Sequence, residues 1–102
     1  MTHAWTGDWR LMLGTNVLGD LAYRSTDQPW FHFDFTAMDH FDSVSGMFET
    51  ELKLLSDDEM DAWEDAYDKI AELGLRLVSD SREVDVESLV LHIEGSTAWL
   101  RH

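Results

Sequence analysis

Leu89-Val90-Leu91-His92-Ile93-Glu94-Gly95-Ser96-Thr97-Ala98-Trp99-Leu100-Arg101 reads as two short alternating runs joined by a two-residue Gly-Ser loop. Such a loop is a type II′ hairpin signal, and it fixes the register. Glu94 should pair with Thr97, Ile93 with Ala98, His92 with Trp99, Leu91 with Leu100 and Val90 with Arg101. Under that register Leu91, Ile93, Ala98 and Leu100 share one face, so the alternation of both strands agrees with a single buried side. The chain therefore contains an antiparallel sheet that needs a second layer to cover it.

Upstream, Trp30-Phe31-His32-Phe33-Asp34-Phe35 places three Phe on one face with period two. Pro29 cannot donate to a ladder and belongs at the start of that strand or just outside it. Trp9, Leu11 and Leu13 alternate in a first extended run, and Gly14-Thr15-Asn16 supplies a turn into a second over 17–25, with Leu21 and Tyr23 in phase. The period then changes. Phe41, Val44, Phe48, Leu52 and Leu55 form a helical stripe over about 39–55, with Gly46 costing about 1 kcal/mol relative to alanine. Ser56-Asp57-Asp58-Glu59 reads as a capping box for a second helix with the stripe Met60, Trp63, Tyr67, Ile70 and Leu73, stopped by Gly74. Residues 75–78 are a short strand, and Ser79-Asp80-Ser81-Arg82 is a polar loop. The order β-β-β-α-α-β-β-β predicts one α+β domain over 1–102: an antiparallel sheet of about five to six strands with two consecutive helices packed on one face.

Charge narrows the partners. Between Asp34 and Asp68 twelve acidic residues face one base, Lys53, within a chain of net charge −14. That field attracts basic protein surfaces and repels nucleic acid and anionic lipid. The absence of cysteine removes thiol nucleophiles and Cys-ligated metals, and fits a reducing cytoplasm. Met1-Thr2-His3-Ala4-Trp5-Thr6-Gly7-Asp8 has no basic segment leading into an apolar run, and no apolar window approaches about 18 residues, so the chain reads as cytoplasmic and free of membrane.

Two surfaces emerge as binding candidates. The sheet face opposite the phenylalanines should expose Trp30, His32 and Asp34 beside His92, Glu94, Trp99 and Arg101, with the aromatic groups as anchors. The second helix should expose Asp57, Asp58, Asp61, Glu64, Asp65 and Asp68. His32 with Asp34, and His92 with Glu94, could each offer an imidazole and a carboxylate to a metal, with Asp39 and His40 near in sequence. The chain has no His-Glu-x-x-His, EF-hand or phosphate-loop pattern, so no cofactor is expected. Asp42-Ser43-Val44-Ser45-Gly46 lacks the spacing of a nucleophile elbow, and exposed helical carboxylates make poor acid–base pairs, so no catalytic residue is assigned.

Through Pro29-Trp30, Phe35, Phe41, Val44, Phe48, Glu51-Leu52, Trp63, Tyr67, Ile70, Leu73-Gly74-Leu75-Arg76-Leu77, Leu91-His92-Ile93 and Ala98-Trp99-Leu100, the string resembles small acidic bacterial proteins of uncharacterised function along nearly its whole length. The resemblance implies a stand-alone bacterial domain and carries over no functional residue. The leading expectation is a non-enzymatic binding protein for a basic protein partner, of immunity, antagonist or regulatory type. A small-molecule or metal-binding domain, open to catalysis, on the His/Trp face is the second reading. A homodimer through that face is the third.

Overall fold

The structure is a computed structural model that describes residues 5–102, so the first four residues of the N-terminal stretch read above lie outside the described residues. Seven strands are present among the described residues: β1 (Asp8–Leu13), β2 (Asn16–Asp27), β3 (Trp30–Ala37), β4 (Arg76–Val78), β5 (Glu83–Asp85), β6 (Val90–Glu94) and β7 (Thr97–Arg101). They form one antiparallel sheet in the order β5-β4-β1-β2-β3-β7-β6. The β6–β7 register is the one the Gly-Ser loop dictates, with Gly95 at φ +58 as the turn requires.

β7 also pairs with β3, setting Phe31 opposite Leu100 and Phe33 opposite Ala98. The phenylalanine face thus runs without interruption into Ala98 and Leu100, and on to Leu91 and Ile93. On the other side Phe35 meets Leu21, Leu21 meets Trp9, and Leu11 meets Leu77. These residues are buried together in one core cluster.

The sheet coils around that core. β5 and β6 are its opposite edges, yet only residues 86–89 join them, a reach of about 17 Å at full extension. A flat sheet of this width would hold its edges about 29 Å apart. Two bulges in β2 add twist: Leu18 is the extra residue opposite β1, and Arg24 is the extra residue opposite β3. Gly19 is needed beside the first bulge, because a Cβ there would lie 2.5 Å from the Phe35 ring.

α1 (Asp42–Ser56) and α2 (Met60–Ala71) pack against one another, and α1 lies along the β6 edge. Phe41, Val44, Phe48, Tyr67 and Ile70 join the sheet core from that side. The fold is α+β, as the element order implied, with one strand more than expected. The additional strand is β5, in which Val84 alone is apolar, too little for a period-two signal. The predicted polar loop at 79–82 is the turn of the β4–β5 hairpin, closed by the Ser79 N–H donating to the Arg82 carbonyl at 2.8 Å.

The helix junction departs from the sequence reading. Ser56 is the last residue of α1, and α2 starts after Glu59 with no side-chain cap, so there is no capping box. The chain reverses instead through a Schellman arrangement. The Glu59 N–H donates to the Leu54 carbonyl at 3.0 Å, the Asp58 N–H to the Leu55 carbonyl at 3.2 Å, and Asp58 takes φ +59. Satisfying the orphaned carbonyls of α1 this way uses the residues a capping box would have needed. α2 ends at Ala71, before the expected stop, and Gly74 takes its left-handed φ of +76 in the turn that follows.

Candidate functional site

Side chains at even positions of β6 point away from the Leu91/Ile93 core. The pairings place Ser25, His32, Trp99 and His92 in one row across β2, β3, β7 and β6, with Asp34, Thr97 and Glu94 in the next. The expected grouping of Trp30, His32, His92 and Trp99 on one side of the sheet is therefore present, but its expected exposure is not uniform. His92 is only 2% exposed, whereas Trp30, His32 and Trp99 are half-buried.

The burial comes from α1. Lying at the β6 edge, it brings Glu51, itself 0% exposed, onto the imidazole, with Nδ1 2.5 Å from Oε1 and 3.1 Å from Oε2. The Trp63 indole N–H of α2 donates to Glu51 Oε2 at 3.2 Å. An indole nitrogen can only donate, so the carboxylate is the acceptor there. A carboxylate accepting from both neighbours fixes the tautomer of the neutral imidazole, with the proton on Nδ1 and the lone pair on Nε2. The rings of Trp30, Trp99 and Tyr67 stand 5.6, 5.4 and 6.5 Å from the imidazole, and the Arg101 guanidinium lies 5.4 Å over Trp30.

Nε2 meets no partner among the described residues, and no fully buried side-chain nitrogen or oxygen among them lacks one. The atom must therefore lie where solvent touches it, the small exposed portion of an otherwise enclosed residue.

Tyr67 closes the β6 edge beside this pair. Its hydroxyl accepts from the Leu91 N–H at 2.6 Å and donates to the Leu89 carbonyl at 3.3 Å, occupying the place of an eighth strand. Burial pushes the phenol up to about 12; the Leu91 hydrogen bond opposes the rise, and the nearby Glu51 charge adds to it.

The proposed metal-ligating sets do not assemble. His32 and His92 flank Trp99 from opposite sides, two strand spacings or about 10 Å apart. Asp34 faces Arg24 at 3.5 Å, and Glu94 is exposed at the hairpin end. Asp39 and His40 lie beyond the far end of β3. Among the described residues no three His, Asp or Glu side chains converge as an ion would require. A concavity of about 540 Å³ on the open face lies elsewhere, over Ala22 between Asp8, Asp20, Asp34 and Asp80.

The acidic residues of the helix junction are exposed as expected. Asp57 pairs with Lys53 at 3.5 Å, while Asp58, Asp61, Glu64, Asp65 and Asp68 make no ion pair among the described residues. Leu55 and Met60, expected in the buried stripes, are instead 36% and 45% exposed amid these charges. Glu51, one of the twelve acids between Asp34 and Asp68, is the residue that takes the inward place. Its spacing carried the signal: it is three residues after Phe48 and seven after Val44, in the middle of the buried stripe.

No family model, curated protein or solved structure matches this chain. Among the described residues no helix is long and apolar enough to cross a membrane.

Proposed function

We propose that the protein is a non-enzymatic, cytoplasmic binding protein that docks a basic protein surface on its α1–α2 corner, as an antagonist or regulator of that partner. The observation that carries this reading is the placement of Leu55 and Met60, exposed at a junction and helix that also expose Asp57, Asp58, Asp61, Glu64, Asp65 and Asp68. Apolar anchors inside a charged rim match the anatomy of a specific interface. The surplus of acid over base around them supplies long-range steering toward a cationic surface.

The test is retention of a partner from native lysate on immobilised protein, eluted with rising salt, for the parent and for a Leu55→Ser/Met60→Ser variant. The reading expects one basic protein held stoichiometrically by the parent, released as salt rises, and lost from the variant. Equal retention by both, or a parent that holds only further copies of itself, sinks it.

A further inference from the structure

We infer that His92, Trp30 and Trp99 form a binding site for a planar aromatic molecule carrying a weakly acidic hydroxyl, which binds as its anion after giving its proton to His92 Nε2. This site is separate from the acidic helix corner and independent of the reading above.

The first support is energetic. Glu51 is fully buried at a helix position where leucine would continue the stripe, and buried ion pairs are commonly no more stable than the apolar residues that could replace them. Stability alone gives no reason for an acid and an imidazole here. The second support is directional. Glu51, itself held by the Trp63 N–H, accepts from Nδ1–H, orients the ring and leaves, in the neutral imidazole, an acceptor lone pair at Nε2 in a side chain only 3% exposed. That atom meets no protein partner among the described residues, so a ligand donor can satisfy it.

The surroundings define the ligand. Trp30 and Trp99, each half-buried and with ring centroids 5.6 and 5.4 Å from the imidazole, offer aromatic faces for stacking. Arg101 supplies a cation over the Trp30 ring. A molecule that is already an anion would be opposed by the net charge of −14, whereas a neutral phenol would not. At the site its O–H bond breaks and an Nε2–H bond forms. The imidazolium then faces the Glu51 carboxylate through Nδ1–H and the phenolate oxygen through Nε2–H. The other groups around the ring are Tyr67, Trp63 and, beyond Trp99, His32. No electron transfer or co-reactant is needed.

The test uses 4-nitrophenol, whose phenolate is distinguished from the phenol by its absorbance. It is titrated into the full chain while the His92 ring proton is followed by NMR. The expected result is a saturable shift of that proton, together with a larger phenolate fraction bound than free at the same pH. His92→Gln should abolish the extra phenolate and weaken binding by about tenfold or more. Trp30→Ala, at a half-buried position, should weaken binding with the fold intact, and the Leu55→Ser/Met60→Ser variant should bind the probe as the parent does. No saturable shift at His92, binding without a change in ionisation, or a His92→Gln variant that behaves as the parent would each overturn the inference.

Discussion

In the middle of strand β6, side chains on opposite sides of the sheet are buried to nearly the same extent by different physics. Leu91 and Ile93 face the coiled sheet and are enclosed by Ala98, Leu100 and the phenylalanine face, through contacts that are additive and without direction. His92, between them in sequence, is enclosed by Glu51, Trp63, Trp30, Trp99 and Tyr67, and its burial depends on specific donors meeting specific acceptors. The first kind of burial tolerates a change of shape and charges for lost volume. The second fails when one partner is removed, whatever the volume.

Glu51→Ala is the largest break in that comparison. It strips the acceptor from both the His92 Nδ1–H and the Trp63 N–H while leaving them enclosed, and should cost about 3–5 kcal/mol in urea unfolding. Leu91→Ala on the other side should cost about 2–5 kcal/mol, for lost contact and cavity alone. The discriminating variant is the pair Glu51→Leu with His92→Leu. It should recover most of the Glu51→Ala loss, because both polar groups leave together. A Glu51→Ala cost under about 1 kcal/mol would show that the pair is not buried as described.

Tyr67→Phe tests the same directional logic at the strand edge. It leaves the Leu91 N–H and Leu89 carbonyl without their partner and should cost about 1–3 kcal/mol at neutral pH. It should also change the alkaline response. Folded Tyr67 keeps its proton to about 12, whereas an unfolded tyrosine releases it near pH 10. Between those values the native state binds the extra proton. The associated stabilisation is thus complete below about pH 10 and is lost as pH rises through the window, by at most about 2–3 kcal/mol. Measured as the difference between parent and Tyr67→Phe, that alkaline slope isolates this group from the lysines and Tyr23. An identical slope in both proteins would place Tyr67 in water.

Legibility in the sequence follows the same division. The β6–β7 register, the Phe31/Phe33/Phe35 face and the left-handed turn at Gly74 were readable because period and turn chemistry are local. The sheet order was not, because nothing near Trp30 or His92 states that β7 lies between their strands. Without that order, the gap between His32 and His92 and the enclosure of His92 were out of reach. Glu51 was hidden by its company: among so many acids one more looked like surface, although its spacing from Val44 and Phe48 placed it inward. Leu55 and Met60 erred the other way, since their stripes continue past the turn at which the helices part from the core.

The smallest predicted effect lies at that turn. Asp58 holds φ +59, a conformation that costs an L side chain energy and glycine almost none. Asp58→Gly should stabilise the protein by about 0.5–1 kcal/mol, because the Schellman cap requires the left-handed residue whatever its side chain. Removing one charge from a repelling cluster would act in the same direction, so the two causes need separating. Salt screens the charge contribution and leaves the backbone contribution alone. A gain that persists in high salt, with Asp58→Ala failing to reproduce it, assigns the effect to backbone geometry. A gain that vanishes with salt and is matched by alanine assigns it to the acidic field, and the junction would then owe its shape to tertiary packing rather than to its cap.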